Sequence, residues 1–250
     1  MSGVTFSLVT ATYNSASLVS SCLSSVQSQP FSVEHIIIDG ASVDTTLVAV
    51  RSFPHVAKII SEPDQGIYDA MNKGIALATG DVVGILNSDD FYADSQVLER
   101  VARIFADPSV DSCYGDLQYV TPDATTVVRH WKAGQMHERS FYWGWMPPHP
   151  TFFVRRSVYE QFGLFNLNLG SAADYELMLR FLVKNRITTA YIPYVLVKMR
   201  TGGASNASLQ NRLKANAMDR KAWSVNGLNP YPWTIIAKPL RKIGQFFRRK

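Results

Sequence analysis

Two adjacent carboxylates, Asp89 and Asp90, end the segment Asn87–Asp90, which directly follows the apolar segment Val82–Leu86. Neighbouring carboxylates repel each other, so such a pair persists most easily where a cation or several hydrogen-bond donors neutralise it. Carboxylate oxygens suit Mg²⁺ or Mn²⁺, and Mg²⁺ commonly combines one or two carboxylates with substrate phosphates. The alternative is a structural role, in which Asp90 or Asp94 caps a helix that begins at Ser95.

Polar residues cluster in three other short segments, which are Thr12–Asn14, Asp39–Asp44 and Glu62–Gly74. Asp39 can accept hydrogen bonds from the base or sugar of a nucleotide, although a plain strand–turn–helix connection explains its segment better when it is taken alone. Asp69 and Lys73 are four residues apart, so on a helix they share a face and can form an ion pair.

The elements that must position these residues alternate between strand and helix over the first 110 residues. Strands are predicted at 4–10, 33–38, 57–60 and 82–86, with helices at 18–26, 44–51, 67–78 and 95–105. This order is typical of a parallel sheet with helices on both faces. Ligands bind at the carboxyl ends of the strands in such sheets. We therefore expect the four polar segments to converge on one rim.

The pattern changes after residue 110. Strands are predicted at 112–119, 125–130, 151–154 and 191–199, and helices at 172–183 and 209–223. The intervening residues 131–150 are rich in aromatic side chains and have a loop-like pattern. Trp143 and Trp145 could form a platform for sugar rings in this region, or they could be buried core.

The charge of the chain is concentrated at its C-terminal end. The formal net charge is +5, and six basic residues but no acidic residue lie from Lys238 onward. Without them the chain has 19 basic and 20 acidic residues, so a general nucleic-acid-binding surface is not indicated. Trp233, Leu240 and Phe247 share one helix face with two isoleucines, which predicts a basic amphipathic helix that contacts an anionic membrane or packs on the domain.

Composition restricts the compartment and the class of protein. The two cysteines, Cys22 and Cys113, are too few for a disulfide framework, which favours a reducing compartment. No apolar run approaches the roughly 18–20 residues that span a bilayer. We expect a cytoplasmic protein, peripheral on the inner face of the cell membrane.

The ordered set of motifs resembles glycosyltransferase family 2. The similarity covers about residues 4 to 205. It is carried by the segments Val9–Asn14, Ile38–Asp44, Asp64–Gly74, Gly80–Asp81, Leu86–Asp90, Pro148–Arg156, Phe162–Asn166, Ala173–Leu177 and Gly202–Ser205. Each segment is weak evidence alone, whereas the ordered set is specific.

The resemblance implies an α/β fold of the GT-A type, with a Rossmann-like, mostly parallel sheet and helices on both faces. It implies inverting transfer of a sugar from a nucleotide-diphosphate sugar. In the family pattern Thr12, Tyr13 and Asp39 surround the nucleoside, and Asp69 and Lys73 lie at the edge of that pocket. Asp89 lies near the ribose and the metal, and Asp90 lies nearest the metal. Asn87 departs from the family motif, which often has Asp at its first position.

The resemblance also assigns the catalytic base to Asp174, for which the alternative is a helix N-terminal acid stabilised by the helix dipole. His149 is a candidate contact of the metal or the diphosphate, or else a packed loop residue. Arg200 precedes a glycine-containing loop and could hold the phosphates, or it is an exposed charge. We predict one domain over residues 1–230, with a nucleotide-sugar half (1–110), an acceptor half (111–230) and a basic tail (231–250).

The leading hypothesis is thus a Mg²⁺- or Mn²⁺-dependent glycosyltransferase that uses a saccharide or a lipid-linked acceptor in surface polysaccharide synthesis. A nucleotidyltransferase would need a basic, glycine-rich loop after the first strand, where the chain has Ala11–Ser15 instead. A non-catalytic, membrane-associated partner subunit that retains the fold is the remaining alternative. The retained Asp89, Asp90 and Asp174 argue against it.

Overall fold

The first half of the chain forms a parallel sheet, as predicted. A computed structural model describes residues 3–202, 209–234 and 237–238. The elements of the first half are β1 (Phe6–Thr12), α1 (Val19–Gln27), β2 (Val33–Asp39), α2 (Thr46–Arg51), β3 (Val56–Ser61), α3 (Ile67–Leu77) and β4 (Val82–Ile85). The strands lie in the order β3-β2-β1-β4, and every pair among them is parallel.

The second half extends the same sheet with mixed pairings. Its elements are β5 (Asp90–Tyr92), α4 (Val97–Phe105), β6 (Ser112–Val120), β7 (Val127–Trp131), β8 (Phe153–Arg155), α5 (Arg156–Phe162), α6 (Ala173–Met178), β9 (Thr189–Arg200) and α7 (Leu209–Val225). The order continues β4-β8-β6-β9-β5, while β7 pairs with β6. β8 joins β4 in antiparallel orientation, and β6 and β9 are parallel.

The core has a layer of helices on each face of the sheet. Leu8 of β1 belongs to the apolar cluster that contains α1 and α4, whereas Val9 belongs to the cluster that contains α3. α3 approaches β1 so closely that a Cβ atom on Gly74 would lie 2.2 Å from Cγ1 of Val9. Helix α3 is therefore held against the centre of the sheet, with its first turn at the rim where the strands end.

Three features of the second half differ from the predicted elements. The predicted helix over 172–183 is divided into α6 and a π-helical turn over Leu179–Lys184. β5 and α5 are absent from the predicted elements. β5 has only three residues and is defined by its pairing of Asp90 with Met199.

None of the helices within the described residues is long and apolar enough to cross a membrane.

The two tryptophans that follow Tyr142 have different environments. Trp145 is buried, and its indole N–H donates to the carbonyl of Ala133 at 2.7 Å, so Trp145 is part of the core. Trp143 is half-exposed.

Of the predicted tail, only residues 231–234 and 237–238 are described, so the predicted amphipathic helix lies largely outside the described residues.

Candidate active site

The acidic pair lies where β4 ends and β5 begins. The Asp90 side chain is fully buried, and its Oδ1 has no hydrogen-bond partner among the described residues. Its Oδ2 accepts from the Asn87 amide at 3.4 Å. Burial and the adjacent charge of Asp89 raise the pKa of Asp90 well above its usual range. If it is ionised, this buried carboxylate lacks the hydrogen bonds or opposite charge that stabilise a buried anion.

Of the two residues in the helix-cap alternative, Asp94 holds the turn that leads into α4, and Asp90 does not. Asp94 accepts from the backbone N–H of Gln96 at 2.8 Å and binds the Arg100 guanidinium at 2.7 Å, just before α4. Asp90 instead lies in β5. The acidic pair is therefore not needed to begin α4.

The side-chain oxygens of Asn87, Asp89 and Asp90 fit a divalent cation that completes its coordination with atoms of a substrate. Within the described part of the chain, no three His, Cys, Asp or Glu side chains form a ready-made metal cluster. Oδ1 of Asn87 is buried and, like Oδ1 of Asp90, unpartnered in that same part of the chain. Mg²⁺ usually retains several waters and binds one or two carboxylates together with phosphate oxygens. Two carboxylates and an amide oxygen match that requirement.

Asp174 lies in the first turn of α6, opposite His149. Its Oδ2 lies 3.4 Å from Nδ1 of His149, and its Oδ1 accepts from the backbone N–H of Tyr175 at 2.7 Å. Partial burial lowers the pKa of His149, while the charges of Asp174 and Asp89 oppose that shift. His149 thus lies next to Asp174 and within electrostatic range of Asp89.

A small cavity of about 20 Å³ lies beside Asp174 and His149. This volume is enough for one water molecule. Tyr68 of α3 also lines the cavity, and its ring packs on Phe165 with centroids 5.3 Å apart. Burial and the charge of Asp174 raise the pKa of Tyr68, so the phenol remains protonated and can donate a hydrogen bond beside that carboxylate.

The Asp39 carboxylate is buried and bound by its own chain. It accepts from the Ser42 backbone N–H at 2.9 Å, from the Ser42 hydroxyl, and from the Ser61 hydroxyl at 2.7 Å. Asn14 adds a second connection, because its Oδ1 accepts from the Val43 N–H at 3.0 Å. These bonds join the loops after β1, β2 and β3.

The loops after β1, β2 and β3 meet closely at Gly40. A Cβ atom on Gly40 would lie 2.6 Å from Oδ2 of Asp64 and 3.4 Å from the Tyr13 ring. Tyr13 is 64% exposed, whereas Thr12 is buried and its hydroxyl bonds to that of Ser15. Tyr13 therefore presents a free aromatic surface at the rim, next to a carboxylate.

The fold and the acidic strand ends match a known family. The family model described as "Glycosyl transferase family 2" matches residues 7–163. The chain belongs to glycosyl transferase family 2. A relative in Mycobacterium bovis (strain BCG / Pasteur 1173P2), named PGL/p-HBAD biosynthesis glycosyltransferase, is 30% identical over 225 residues. The alignment covers 82% of this chain and 81% of the relative.

Two solved structures share this fold, which is of the GT-A type. S. aureus TarS 1–349 in complex with UDP-GlcNAc has a TM-score of 0.68 at 17% identity, with 98% of this chain and 73% of TarS covered. The mannosyltransferase PcManGT from Pyrobaculum calidifontis, in complex with GDP-Man and Mn²⁺, has a TM-score of 0.64 at 19% identity. That comparison covers 98% of this chain and 70% of PcManGT.

Three other predicted site residues of this family 2 chain have internal partners. Lys73 lies 2.8 Å from Glu62 and 3.6 Å from Asp69, so the predicted ion pair forms. Asp69 also accepts from the Gln65 N–H at 3.0 Å. Arg200 is not an isolated surface charge, because its Nη1 donates to the carbonyl of Asp89 at 2.7 Å. It thereby supports the backbone of the acidic pair.

Tyr68 is not among the site residues predicted from the sequence, although its helical spacing from Asn72 could have indicated it. Tyr68 and Asn72 are four residues apart on α3, on a face different from that of Asp69 and Lys73. Asn72 exchanges two hydrogen bonds of 2.9 Å with the backbone of Phe165, and Tyr68 packs on the Phe165 ring. This face of α3 therefore contacts the loop that precedes Asp174.

Proposed function

We propose that this family 2 glycosyltransferase transfers a sugar, with inversion, from a nucleotide-diphosphate sugar to a saccharide or lipid-linked acceptor. Synthesis of a cell-surface polysaccharide would use such a reaction. The observation that carries the proposal is the contact of His149 with Asp174, 3.4 Å between Nδ1 and Oδ2, at a histidine that the charge of Asp89 also reaches. A carboxylate for the acceptor and carboxylates for the diphosphate would thus share one cleft.

The donor proposal is supported by the ligands of structurally similar enzymes. TarS is solved with UDP-GlcNAc, and PcManGT is solved with GDP-Man and Mn²⁺. In this chain the exposed Tyr13 would stack on the nucleobase, and Thr12 and Asp39 would shape the nucleoside pocket. Asp69 and Lys73 would support the edge of that pocket through the loop that they hold.

Asp89 and Asp90 would hold Mg²⁺ or Mn²⁺, with the neutral oxygen of Asn87 nearby. A bound cation would neutralise the charge on the leaving diphosphate. His149 faces Asp174 through Nδ1, which leaves Nε2 to meet the metal or the diphosphate. Metal-ligating histidines commonly direct their other nitrogen at a carboxylate in this way. Arg200 would act on the phosphates mainly by fixing the Asp89 backbone.

Asp174 would act as the general base. Its carboxylate would take the proton of an acceptor hydroxyl while the hydroxyl oxygen forms a bond to the anomeric carbon. The bond from that carbon to the diphosphate oxygen breaks in the same step, and the electron pair leaves with the diphosphate. A single in-line displacement of this kind inverts the anomeric configuration. A positioned base typically contributes about 10²–10⁴-fold to the rate.

The test is a panel of UDP-, GDP- and dTDP-sugars, each added with and without Mg²⁺ or Mn²⁺. We expect at least one donor to raise the unfolding temperature, and to raise it further with the metal, because a ligand of the native state stabilises it. Transfer of the same sugar to a saccharide or polyprenyl-linked acceptor is then measured by product analysis. Failure of every donor to bind would remove the proposal, and binding without hydrolysis or transfer would favour the non-catalytic partner subunit.

We also propose that the protein works in the cytoplasm at the inner face of the cell membrane. The support is the basic sequence after residue 237, which suits anionic lipids. The near balance of charge in the preceding residues supports the expectation that nucleic acid is not a partner.

A further inference from the structure

Two tryptophans that are distant in the sequence form a half-exposed pair. The rings of Trp143 and Trp233 have centroids 5.7 Å apart and planes inclined by 36°. Trp143 is 52% exposed and Trp233 is 45% exposed. The ring of Tyr231 extends the group, with its centroid 5.0 Å from that of Trp233. Adjacent exposed aromatic side chains are typical of a contact surface.

The pair is anchored to the domain by its polar and backbone contacts. The hydroxyl of Thr234 donates to the carbonyl of Tyr142 at 2.7 Å. The ring of Tyr142 connects the pair to the core. Its centroid lies 4.9 Å from that of Tyr231 and 4.8 Å from that of Trp223. Trp233 is therefore held on the domain with one side in solvent.

The basic segment starts beside this pair. Gly144 adopts a left-handed conformation with φ 73°, and a Cβ atom there would lie 2.3 Å from the backbone nitrogen of Lys238. The chain at Lys238 thus passes directly over the residue that follows Trp143. Residues 239–250 lie outside the described residues, and their sequence adds five basic residues and no acidic residue.

We propose that Trp143, Tyr231 and Trp233, here called the aromatic anchor, insert into the headgroup region of an anionic phospholipid bilayer. Tryptophan and tyrosine favour that region because their rings are apolar bodies with one polar group. Apolar insertion and attraction of basic residues to anionic lipid reinforce each other when they lie side by side. The start of the basic segment at Lys238, against the residue that follows Trp143, is what favours lipid over other partners.

The aromatic anchor would orient the proposed cleft toward lipid. Phe141, two residues before Trp143, lies 6.0 Å from the ring of Tyr175, which adjoins Asp174. A membrane bound at the anchor would therefore lie on the acceptor side of the domain. This inference deepens the membrane contact of the proposed function and rests on it, but vesicle binding needs no glycosyl transfer, so the two can fail separately.

The test uses the full chain and the double variant Trp143→Ala/Trp233→Ala. Binding is measured by sedimentation with phosphatidylcholine vesicles that contain phosphatidylglycerol, at low and high salt. High salt screens the basic segment but leaves the apolar contribution in place. We expect the vesicle partition coefficient of the double variant at high salt to fall by about tenfold or more. The reason is that the variant lacks apolar area that the bilayer would cover.

Tyr194→Ala is the matched control, since Tyr194 is 55% exposed and lies apart from the aromatic anchor, on β9. It should partition like the unaltered protein, and all variants should unfold at similar temperatures. A second readout is tryptophan fluorescence with brominated lipid, which should quench the unaltered protein and spare the double variant. Unchanged partition of the double variant would overturn the inference, as would a double variant that binds vesicles normally but loses affinity for a saccharide acceptor.

Discussion

Nδ1 of His149 lies 3.4 Å from Oδ2 of Asp174, the carboxylate proposed as base. The two residues belong to different segments, one in a proline-rich loop and the other in the first turn of α6. In the proposed mechanism this contact would join the acceptor side of the cleft to the diphosphate side. Substitution of Asp174 should therefore affect transfer, and substitution in the acidic pair should affect binding of the metal.

Replacing Asp174 with Asn should abolish transfer while binding of the donor survives. The amide retains the shape of the side chain but does not accept a proton, so we expect the turnover rate to fall by about 10²–10⁴-fold or more. Donor affinity measured by calorimetry should stay within a few fold. Simultaneous loss of donor binding and of thermal stability would instead give Asp174 a structural role.

Replacing Tyr68 with Phe should lower kcat/KM for transfer while donor affinity is retained. The Tyr68 phenol lines the cavity beside the Asp174 carboxylate and can donate a hydrogen bond that orients it. The measurement is kcat/KM together with donor binding by calorimetry. Tyr159→Phe is the matched control, since Tyr159 lines the same cavity and packs on Phe181 at 5.4 Å. Equal losses in both variants would contradict a specific role for Tyr68.

Replacing Asp90 with Asn should remove the stabilisation that Mn²⁺ and donor produce together. The fully buried Asp90 would lose the negative charge that attracts the cation, and the rise of unfolding temperature on addition of Mn²⁺ should disappear. Asp94→Asn is the control, because it removes a nearby carboxylate that serves Gln96 and Arg100. If both variants respond to Mn²⁺ like the unaltered protein, the metal binds elsewhere.

Replacing Glu34 with Gln should destabilise the protein at neutral pH. Burial opposes ionisation of Glu34, but hydrogen bonds from Lys58, Ser7 and Thr79 outweigh it and lower the pKa to about 2. Because the folded-state pKa is depressed, the ionised residue stabilises the fold above the unfolded value near 4.5. That contribution is lost as pH falls toward 2.

The free energy of unfolding should fall by up to about 3 kcal/mol at pH 7 in this variant, and by little near pH 2. Urea denaturation across this pH range provides the measurement. Glu160→Gln is the control, since Glu160 is an exposed partner of Arg156. It should change stability by less than about 1 kcal/mol. A similar loss in both variants would contradict the importance of the Glu34 network.

Replacing Gly74 with Ala should cost about 1–3 kcal/mol of stability, although alanine favours helices in general. The added methyl group would meet the side chain of Val9 at 2.2 Å. The double variant Gly74→Ala/Val9→Ala should recover part of the loss, because the two changes share one space. Strictly additive losses in chemical denaturation would show that α3 adjusts its position instead.

The sequence alone was sufficient for the first half of the fold. The four apolar strands, the helices between them and the polar residues at the strand ends are local patterns with periods near two and 3.6 residues. The parallel pairing of β1 to β4 confirms the parallel sheet that these patterns predicted, while their order β3-β2-β1-β4 comes from the structure. The family was also available from motif order, and several of its motifs, such as Ile38–Asp44 and Leu86–Asp90, begin where a strand ends.

Tertiary structure decided which polar residues are free to act. Asp39 and Asp90 both lie at strand ends, yet Asp39 is saturated by Ser42 and Ser61 while one oxygen of Asp90 has no partner within the described residues. Likewise, Arg200 reaches the carbonyl of Asp89 across 111 residues of sequence. Sequence periodicity reports which face of an element is buried, but partners this distant depend on how the elements pack, which no local pattern encodes.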